Sequence, residues 1–388
     1  MRRYFPCLPL KQTPAQITFF DCYNSAVKGG SRRYNQRNME RSVYRIIDAN
    51  FNRAREAVRV IEEFCRFCLN SDSLTERAKQ LRHQLSAAIN RFDTGRLISS
   101  RDVAGDVGAG RTVDGQIRRA DLRDSFVAGC KRLTEALRAL GEMAQIVEPS
   151  CAPTFEELRF AAYALEKEIV VFSDTVEKFR RVRLYVIISS VLPADVISLA
   201  HCCITGGADC IQLRAKALDD AALFALAAEF VGICRDSGVL SIINDRIDIA
   251  AAVDADGVHL GQNDLPVEQV RRLQFKPLII GKSTHSMQQL SAACQERPTY
   301  VSLGPVFATP TKPTAQAVGL SYVRQAVEFL SNTAIAGVAV GGITLGNIGK
   351  VLDAGAQTVA VCSAITEADD PAEACRALKE KIITSAKK

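Results

Sequence analysis

Hydrophobic residues recur at helical spacing through the first half of the chain. Phe51, Ala54, Val58, Ile61 and Phe64 follow one another at steps of three and four, while Arg and Glu fill the opposite face. No strand-like alternation interrupts this pattern before about residue 172. Further helices are predicted at 73–92, 117–145 and 154–178, so residues 41–180 are expected to form an all-helical bundle.

The pattern changes after residue 180, where short apolar strands alternate with helix-length segments, several with Asp, Ser or Thr caps. Strands are predicted at 184–189, 210–214, 240–244, 257–260, 278–282, 300–303, 337–340 and 358–362. Eight strand–helix units in about 200 residues are typical of a TIM barrel, and their even spacing disfavours the alternative, a doubly wound open sheet. The predicted fold class is therefore α/β, with a C-terminal (β/α)8 TIM barrel over residues 181–388 preceded by the all-α domain.

The first forty residues lack sustained periodicity of either kind. They are rich in Arg, Gln, Asn and Ser and lack the long apolar segment of a signal peptide, although an Arg-rich, acid-poor start weakly resembles a transit peptide. We expect residues 1–40 to be a disordered extension, or an artefact if translation begins at Met39.

Charge and composition exclude two classes of partner. The net charge is +6, of which residues 1–40 contribute +5, so a basic tail precedes a nearly neutral body and no nucleic-acid partner is expected. No apolar run reaches the roughly 18–20 residues of a membrane span, so no membrane partner is expected. Thirteen scattered cysteines without a disulfide framework favour free thiols in a reducing cytoplasm. Cys65 and Cys68 form a C-x-x-C within a helical pattern, where packing is favoured over metal binding.

Polar side chains collect where the predicted strands end, which is where TIM barrels place their active sites. Gln212, Arg214 and Lys216 alternate along the end of the second strand and therefore face one side. Together they offer the amide of Gln212 as a neutral hydrogen-bond donor, the planar guanidinium of Arg214 and the compact positive charge of Lys216. These groups suit a pyrophosphate. A solvated strand end is the simpler interpretation, and the strict alternation disfavours it.

Carboxylates follow the next two strands. Asp245 comes after the third strand and Asp264 after the fourth, so the two lie at adjacent strand ends. Mg²⁺ typically takes one or two carboxylates together with substrate phosphates and water. Either residue alone would suit a helix cap, but the pair beside a basic strand predicts a magnesium site that bridges a pyrophosphate.

The later strand ends predict a second anion site. The loop after the sixth strand is rich in hydroxyl groups and contains one cation. Glycine turns near a helix N-terminus follow the seventh and eighth strands, and such turns form the usual phosphate-binding site of these barrels. Two anion sites, one with metal, indicate two phosphorylated substrates of which one loses pyrophosphate. His259 and His285 are interpreted as packing and capping residues, with no general-base role.

The barrel half resembles the thiamine-phosphate synthase family. The resemblance rests on residues 212–216, 243–248 (I-N-D-R-I-D), 256–266 (D-G-V-H-L-G-Q-N-D-L-P), 281–285, 304–312, 341–343 and 363–365, which follow the family order along the whole barrel. One departure is Ala215, where the family often has Glu. Alternation along the strand keeps this side chain away from the pyrophosphate.

The resemblance implies condensation of 4-amino-2-methyl-5-hydroxymethylpyrimidine diphosphate with 4-methyl-5-(2-hydroxyethyl)thiazole phosphate, or its carboxylated form, to give thiamine phosphate and pyrophosphate. It implies that one Mg²⁺ and the basic residues stabilise the departing pyrophosphate, leaving a pyrimidine carbocation that the thiazole nitrogen captures. Arg214, Ser283 and Lys312 are the implied catalytic residues. The full implied set is Asp245 and Asp264 for the metal; Gln212, Arg214, Lys216, Asn244 and Lys312 for the diphosphate; Ser283 for the pyrimidine; and Thr309, Thr311, Gly342, Ser363 and Ala364 for the thiazole phosphate.

The sequence leaves two other functions open for the barrel. A thiazole tautomerase is the runner-up: it is a close relative that isomerises without joining, and it would need neither the acidic pair nor a pyrophosphate clamp. A ligand-binding regulator without catalysis is weaker, because the groups that stabilise a leaving pyrophosphate are all in place.

A charged pattern recurs 79 residues apart in the helical region. The two copies are Arg53, Glu56 and Arg59, and Arg132, Glu135 and Arg138. Residues three apart share a helix face, so two interpretations are open. The residues form surface ion pairs worth a few tenths of a kcal/mol each, or they form buried Arg–Glu networks around a polar site in a pseudo-twofold unit.

The helical region resembles a domain fused to some thiamine-phosphate synthases and proposed there as a hydroxymethylpyrimidine-phosphate kinase. The stretches D-A-N-F-N-R-A-R-E-A-V-R-V-I-E-E, L-R-H and R-D-V-A-G-D-V-G support the resemblance, which implies ATP as a cosubstrate. No P-loop or ribokinase-type glycine motif accompanies them, so a non-catalytic dimerisation or docking domain, and with it a homo-oligomer, stays open. Further candidate residues are Asp48, Asn50, Arg82, His83, Asp102 and Asp106.

Overall fold

The computed structural model describes residues 31–108, 110–111, 118–189, 192–273, 276–309 and 316–385. The chain divides into two compact units, each of which is described by itself. The helical unit comprises Met1–Ala57, Arg82–Ala120 and Lys131–Phe160. The barrel unit comprises Val58–Leu81, Asp121–Cys130 and Ala161–Lys388, so it includes parts of helices that precede the first strand. The domain limits predicted from sequence, at residues 40 and 180, remain predictions.

The described residues before the barrel strands are helical, as predicted. The helices are α1 (Ser31–Glu63), α2 (Asp72–Ile89), α3 (Thr94–Ser99), α4 (Leu122–Val147) and α5 (Ala152–Phe179), with a π-helical turn at Phe64–Cys68 and a 3-10 turn at Pro149–Cys151. Helix α4 begins later than predicted. The side chain of Asp121 accepts a hydrogen bond from the Asp124 N–H at 2.7 Å and so caps the helix there.

Helix α1 corrects the prediction for the first forty residues in part. It begins at Ser31, so the last ten residues of the segment expected to be disordered are helical. Once a packed helix exists, adding residues at its end avoids the cost of nucleation, and Arg and Gln are good helix formers. Residues 1–30 lie outside the described part of the chain.

A regular apolar stripe forms the core of the helical unit. Ile47 and Ala54 of α1 are fully buried, and so are Leu133, Leu137 and Leu140 of α4, none of which is more than 1% exposed. Their spacing of seven residues in α1 and of four and three in α4 is that of a single helix face. The hydrophobic period of the sequence therefore identifies the buried face of both helices.

The second half of the chain is a closed parallel barrel, which confirms the predicted fold. Eight strands pair in sequence order and β1 closes the sheet against β8. The strands and following helices are β1 (Leu184–Ile188), α6 (Pro193–Thr205), β2 (Cys210–Leu213), α7 (Asp220–Asp236), β3 (Leu240–Asn244), α8 (Ile247–Ala252), β4 (Gly257–Leu260), α9 (Val267–Leu273), β5 (Ile279–Thr284), α10 (Met287–Glu296), β6 (Tyr300–Leu303), α11 (Gly319–Leu330), β7 (Ala336–Val340), α12 (Ile348–Asp353), β8 (Thr358–Val361), α13 (Ser363–Thr366) and α14 (Pro371–Ser385).

Alternation along the strands separates two cores. In β1, Leu184, Val186 and Ile188 point outward and pack in the large core between the sheet and its helices. Tyr185 points inward, into a smaller core that also contains Tyr300 and Phe179, the last residue of α5. Because all strands are parallel, their carboxyl ends meet at one end of the barrel, where the loops can converge on a site.

Candidate active site

The basic residues predicted at the end of β2 fall in two settings. Gln212 lies within the strand and is 3% exposed, whereas Arg214 and Lys216 lie in the turn that follows. Arg214 Nη1 donates to Ser189 Oγ at 3.2 Å, which ties it to the end of β1. Ala215, the departure from the family pattern, packs in the outer core on the other side of the sheet. The two cations therefore remain at the mouth of the barrel.

Asp245 and Asp264 lie together beside Lys216. Lys216 Nζ is 2.8 Å from Asp245 Oδ2, and Asp264 Oδ2 accepts the Gly261 N–H at 2.6 Å. Burial and the adjacent Asp245 raise the pKa of Asp264. Burial acts in the same direction on Asp245, but hydrogen bonds from Lys216 and Asp264 outweigh it and hold its pKa below the usual value. Two carboxylates that share one cation form a site with an excess of negative charge.

Asp245 is held in an uncommon backbone conformation. Its φ is 62°, in the left-handed region, which for a residue other than glycine costs roughly 1 kcal/mol. Its N–H donates to the His259 carbonyl at 2.8 Å, a bond that links the end of β3 to β4. Strain of this kind persists where the surrounding structure enforces it, and it occurs often at functional sites.

The donor set of this cluster fits magnesium. Among the described residues, no group of three or more His, Cys, Asp or Glu side chains is arranged to hold a metal ion. Two carboxylates alone suit Mg²⁺ in its usual protein setting, where substrate phosphates and water complete the octahedron. The adjacent Lys216 ammonium would then be free to contact a phosphate oxygen.

A chain of hydrogen-bonded polar side chains crosses the barrel interior below this cluster. Its members face inward from six different strands, and the sequence pattern identified three of them as site residues. We call it the polar chain; it consists of Asn244, Gln212, Tyr185, Tyr300, His259 and Ser283.

The number of protons that each side chain can donate fixes the direction of the hydrogen bonds along the polar chain. Gln212 Nε2 donates to Asn244 at 2.7 Å, and Gln212 Oε1 accepts the proton of Tyr185 at 3.2 Å. Burial raises the pKa of both tyrosines well above its usual value, so each phenol keeps its single proton. Since the Tyr185 proton is committed to Gln212, Tyr300 must donate in the 2.8 Å bond between the two hydroxyls.

The direction continues to Ser283. With its own proton committed, the Tyr300 oxygen accepts from His259 Nδ1 at 2.9 Å. When the imidazole is neutral, this bond fixes its proton at Nδ1 and its lone pair at Nε2, which lies 2.9 Å from Ser283 Oγ. The serine hydroxyl therefore donates to His259, and its oxygen lone pairs remain available to accept a hydrogen bond from a ligand.

Tyr185, Tyr300 and His259 are members of the candidate site that the sequence pattern did not identify. His259 was interpreted as a packing residue, but it is half-buried and joins Tyr300 to Ser283. A signal lay in Gly281 of β5, where an added Cβ would lie 2.6 Å from His259 Nδ1 and overlap the Tyr300 ring. A glycine in the middle of a barrel strand indicates that something bulky occupies the space beside it. His285 Nδ1 contacts the Gly304 carbonyl at the end of the neighbouring strand, and His285 also lines the pocket, so its interpretation as a capping residue stays a prediction.

Glycine turns shape the opposite side of the barrel mouth. Gly341 and Gly342 follow β7 with φ of 105° and 62°. A Cβ on Gly342 would lie 2.5 Å from the Ala308 carbonyl oxygen and 2.8 Å from Phe307 Cβ, so the turn packs directly against the loop after β6. Asn347 Nδ2 donates to the Gly342 carbonyl at 2.8 Å and fixes the turn.

The structure brings most of the predicted barrel residues to one pocket. Thr311 and Lys312 lie outside the described residues, and Ala364 directly follows Ser363 at the start of α13. Asp245 directly follows Asn244, which places the carboxylate pair beside the pocket. Predicted residues lining the pocket are Gln212, Arg214, Asn244, Ser283, Thr309, Gly342 and Ser363.

The structure corrects one interpretation of the repeated helical pattern. The charged residues of both copies are exposed: Arg53, Glu56, Arg59, Arg132, Glu135 and Arg138. The buried stripes are occupied by apolar side chains such as Ala54 and Leu133, so the prediction of buried Arg–Glu networks is wrong. Arg59 pairs with Glu63 at 3.2 Å and Arg138 with Glu142 at 2.7 Å, which are surface ion pairs between neighbouring turns.

A different polar cluster forms in the helical unit. Arg101 binds the carboxylate of Asp48 through two hydrogen bonds of 2.8 and 2.7 Å, and Asp48 is 9% exposed. Arg45 donates to the Asp102 carbonyl at 3.2 Å, so α1 holds the start of the loop after α3.

The other helical candidates are more exposed than Asp48. Asn50 and Arg82 are half-buried, and His83 is exposed. The exposed Asp106 accepts the Gly108 N–H at 2.9 Å, which shapes the loop. Of the predicted helical residues, Asp48 and Asp102 each contact an arginine: Asp48 binds Arg101, and the Asp102 carbonyl accepts from Arg45.

Comparison with known proteins places both halves of the chain. The family model described as thiamine monophosphate synthase matches residues 184–365, and that of the ThiD2 family matches residues 45–168. A thiamine-phosphate synthase of Nostoc sp. is 38% identical over 87% of this chain and 93% of its own length. The chain belongs to the thiamine-phosphate synthase family. A family member from Synechocystis sp. is also 38% identical, over 86% of this chain and 94% of its own length.

Family membership confirms the resemblance on which the sequence analysis relied. The synthase match begins at the first residue of β1 and ends within α13, so it includes every predicted barrel site residue. A solved thiamine phosphate pyrophosphorylase from Pyrococcus furiosus is 32% identical and covers 53% of this chain and 96% of its own, with a TM-score of 0.48. In the described part of the present chain, no helix has the length and apolar character needed to cross a membrane.

Proposed function

We propose that the barrel condenses 4-amino-2-methyl-5-hydroxymethylpyrimidine diphosphate with 4-methyl-5-(2-hydroxyethyl)thiazole phosphate to thiamine phosphate and pyrophosphate. With the carboxylated form of the thiazole phosphate, the carboxyl group leaves in addition as carbon dioxide. The observation that supports this best is the cluster of Lys216, Asp245 and Asp264 at the edge of the pocket that Arg214 and Ser283 line. A cation beside a carboxylate pair suits a metal-bound diphosphate and has no use in a tautomerase.

Asp245 and Asp264 would hold Mg²⁺, which when bound neutralises charge on the departing diphosphate. Arg214 and Lys216 supply fixed positive charge at the same place, and Lys312 is proposed to add a third cation. The carbon–oxygen bond of the pyrimidinylmethyl diphosphate breaks and its electron pair leaves with pyrophosphate. Preorganised cations lower the energy of that charge as it develops, so the step requires no general base from the protein.

The polar chain is proposed to orient the pyrimidine. The Ser283 hydroxyl donates its hydrogen bond to His259 Nε2, so its oxygen can accept a hydrogen bond from the ring amino group. Asn244 Oδ1 already accepts from Gln212, which leaves the Asn244 amide nitrogen as a donor toward the diphosphate. The electron-poor carbon is thereby presented to the thiazole nitrogen, whose lone pair forms the new carbon–nitrogen bond.

The thiazole phosphate is proposed to bind across the barrel mouth, at the glycine turns. Gly342, Ser363 and Thr309 line the same pocket as Ser283, and Ala364 directly follows Ser363 in α13. Thr311 is proposed to add a further hydroxyl. Backbone N–H groups of such turns bind phosphate without a side-chain charge. The two phosphate groups would then occupy opposite sides of the pocket.

An assay of the purified chain tests this function. With both substrates and Mg²⁺ it should form thiamine phosphate, detected by chromatography, and Asp245→Asn should lower turnover by roughly 10²–10³-fold. The matched control is Asp248→Asn, which removes an exposed carboxylate whose partner is Arg246 at 2.6 Å. Near-normal turnover by Asp245→Asn contradicts the metal assignment. Isomerisation of a thiazole without joining would instead favour the tautomerase.

For the helical unit we propose phosphorylation of hydroxymethylpyrimidine phosphate with ATP, which would supply the diphosphate that the barrel consumes. The match of residues 45–168 to the ThiD2 family supports this activity. The residues Asp48, Arg101, Arg45 and Asp102 are the proposed site, because guanidinium groups are the side chains that bind phosphate best and these two are held in place by Asp48 and by the Asp102 carbonyl. A non-catalytic dimerisation module, and with it a homo-oligomer, is the alternative.

The kinase proposal is tested on the full chain with pyrimidine monophosphate and ATP. The diphosphate should form, and Asp48→Asn should reduce it while synthase activity on supplied diphosphate stays unchanged. Glu142→Gln, which removes a surface ion pair with Arg138, is the control. If the unmodified chain forms no diphosphate, the helical unit has no such kinase activity and the dimerisation alternative stands. Location in a reducing cytoplasm remains a prediction.

A further inference from the structure

The last residue of α5 closes the lower end of the barrel. Phe179 is 1% exposed and belongs to the interior core together with Tyr185 and Tyr300. Its ring is parallel to that of Tyr300 within 1°, with centroids 4.3 Å apart, and it meets Tyr185 edge-on at 6.4 Å. A residue from outside the eight strands thus forms the floor beneath two members of the polar chain.

Tyr300 depends on its neighbours for its position. Gly281 leaves an open space beside the ring, Tyr185 meets it edge-on at 5.8 Å, and Phe179 covers one face. A flat aromatic surface restricts the tilt of a stacked ring, which an aliphatic side chain of similar size does not do. The Tyr300 hydroxyl bonds His259, so a tilt of this ring displaces the atom that orients the imidazole.

We propose that Phe179 is a positioning residue of the synthase: by holding the Tyr300 ring it keeps His259 and, through it, the Ser283 hydroxyl in the direction that binds the pyrimidine. The inference rests on the proposed synthase function. It makes α5 a structural part of the active site, although no α5 residue reaches the pocket mouth. Binding of the thiazole phosphate, at the glycine turns, does not involve the polar chain.

A double-mutant cycle tests the proposal on the full chain. Phe179→Leu keeps an apolar side chain in the floor and removes the flat ring, while Tyr300→Phe keeps the stacked ring and removes the hydroxyl. Phe179→Leu should lower kcat about two- to tenfold, the range of one aromatic pair, with KM for the thiazole phosphate unchanged. In the Tyr300→Phe background the same substitution should cause no further loss, because the two act through one hydroxyl. Losses that multiply would overturn the proposal.

The matched control is Phe172→Leu, a buried phenylalanine of the same helix outside the interior core. If both substitutions lower kcat equally after correction for the folded fraction, Phe179 is merely structural and the inference fails. Nitrogen NMR of His259 gives a reading independent of turnover: the Nδ1-protonated tautomer should dominate in the unmodified chain and in Phe172→Leu, and become mixed in Phe179→Leu. Unchanged tautomer populations would also overturn it. An inactive unmodified chain would reject the synthase function, and the NMR comparison would still decide the role of Phe179.

Discussion

The space beside one glycine determines whether the polar chain can form. Gly281 lies opposite Tyr300 and His259, and an added Cβ would lie 2.6 Å from His259 Nδ1. At that distance the two side chains must move, and overpacking of this kind typically destabilises a core by about 1–3 kcal/mol. A single methyl group here should therefore affect both stability and catalysis.

We predict that Gly281→Ala lowers synthase turnover at least tenfold and lowers the melting temperature by several degrees. The control is Gly232→Ala in α7, where an added Cβ meets no atom within 4 Å. That substitution should be neutral or stabilising, because alanine is the better helix former. Calorimetry and steady-state kinetics measure both effects. Full activity of Gly281→Ala would show that Ser283 does not depend on the polar chain.

The sequence identified the residues of the site whose chemistry is local, and missed those whose role depends on a distant partner. Asp245 directly follows β3, and Asp264 lies four residues after the end of β4, so the positions of both could be predicted from the strand pattern alone. His259 acquires its role from Tyr300, a residue 41 positions later in another strand. A histidine within an apolar strand is consistent with packing or with function, and nothing in its neighbours distinguishes the two.

At the scale of elements, the turn after β7 is the feature best suited to test phosphate binding. Gly342 has a φ of 62° and lies against Phe307 and Ala308 of the loop after β6. Any side chain at this position meets both backbone strain and steric overlap. The turn therefore depends on glycine, and its distortion should affect one substrate more than the other.

We predict that Gly342→Ala raises KM for the thiazole phosphate about tenfold or more and leaves KM for the pyrimidine diphosphate nearly unchanged. Gly346→Ala is the control, since the nearest atom to its added Cβ is Thr344 Oγ1 at 3.8 Å. Varying each substrate at saturating concentration of the other separates the two constants. An equal rise in both would mean that the turn supports the fold of the pocket in general and does not bind the thiazole phosphate.

The helical elements show what periodicity leaves open. Arg53 and Glu56 share a helix face, as their spacing predicts, but spacing does not say whether that face is buried. Apolar residues such as Ala54 and Leu133 occupy the buried faces of these helices, so the charged residues lie on the exposed faces. Helix α1 likewise extends to Ser31 beyond its amphipathic part, because a stable helix needs no apolar stripe at its end.

At the scale of the whole molecule, the change of period near residue 180 and the division into compact units do not coincide. Sequence periodicity reports secondary structure, and it predicted the eight strands and the helical region well. The compact units depend on long-range contacts, and they assign Ala161–Phe179 of α5 to the barrel unit. Thr299 Oγ1 donates to Thr175 Oγ1 at 3.1 Å, and Arg297 lies 3.3 Å from Glu168. Both contacts join α5 to the short segment between α10 and β6.

This division predicts how the intact chain opens in mild denaturant. Amides of residues 161–179 should exchange with solvent together with the barrel strands, and amides of Lys131–Phe160 should exchange as a separate group, since cooperative units follow packing and not helix boundaries. Hydrogen exchange followed by mass spectrometry resolves the two groups. Phe179→Leu should weaken protection in residues 161–179 and in β6 together, because its ring stacks on Tyr300. If all of α5 exchanges together with α4, the prediction is wrong. The last turns of α5 then do not belong to the barrel's cooperative unit, and the strands alone must form the floor of the barrel.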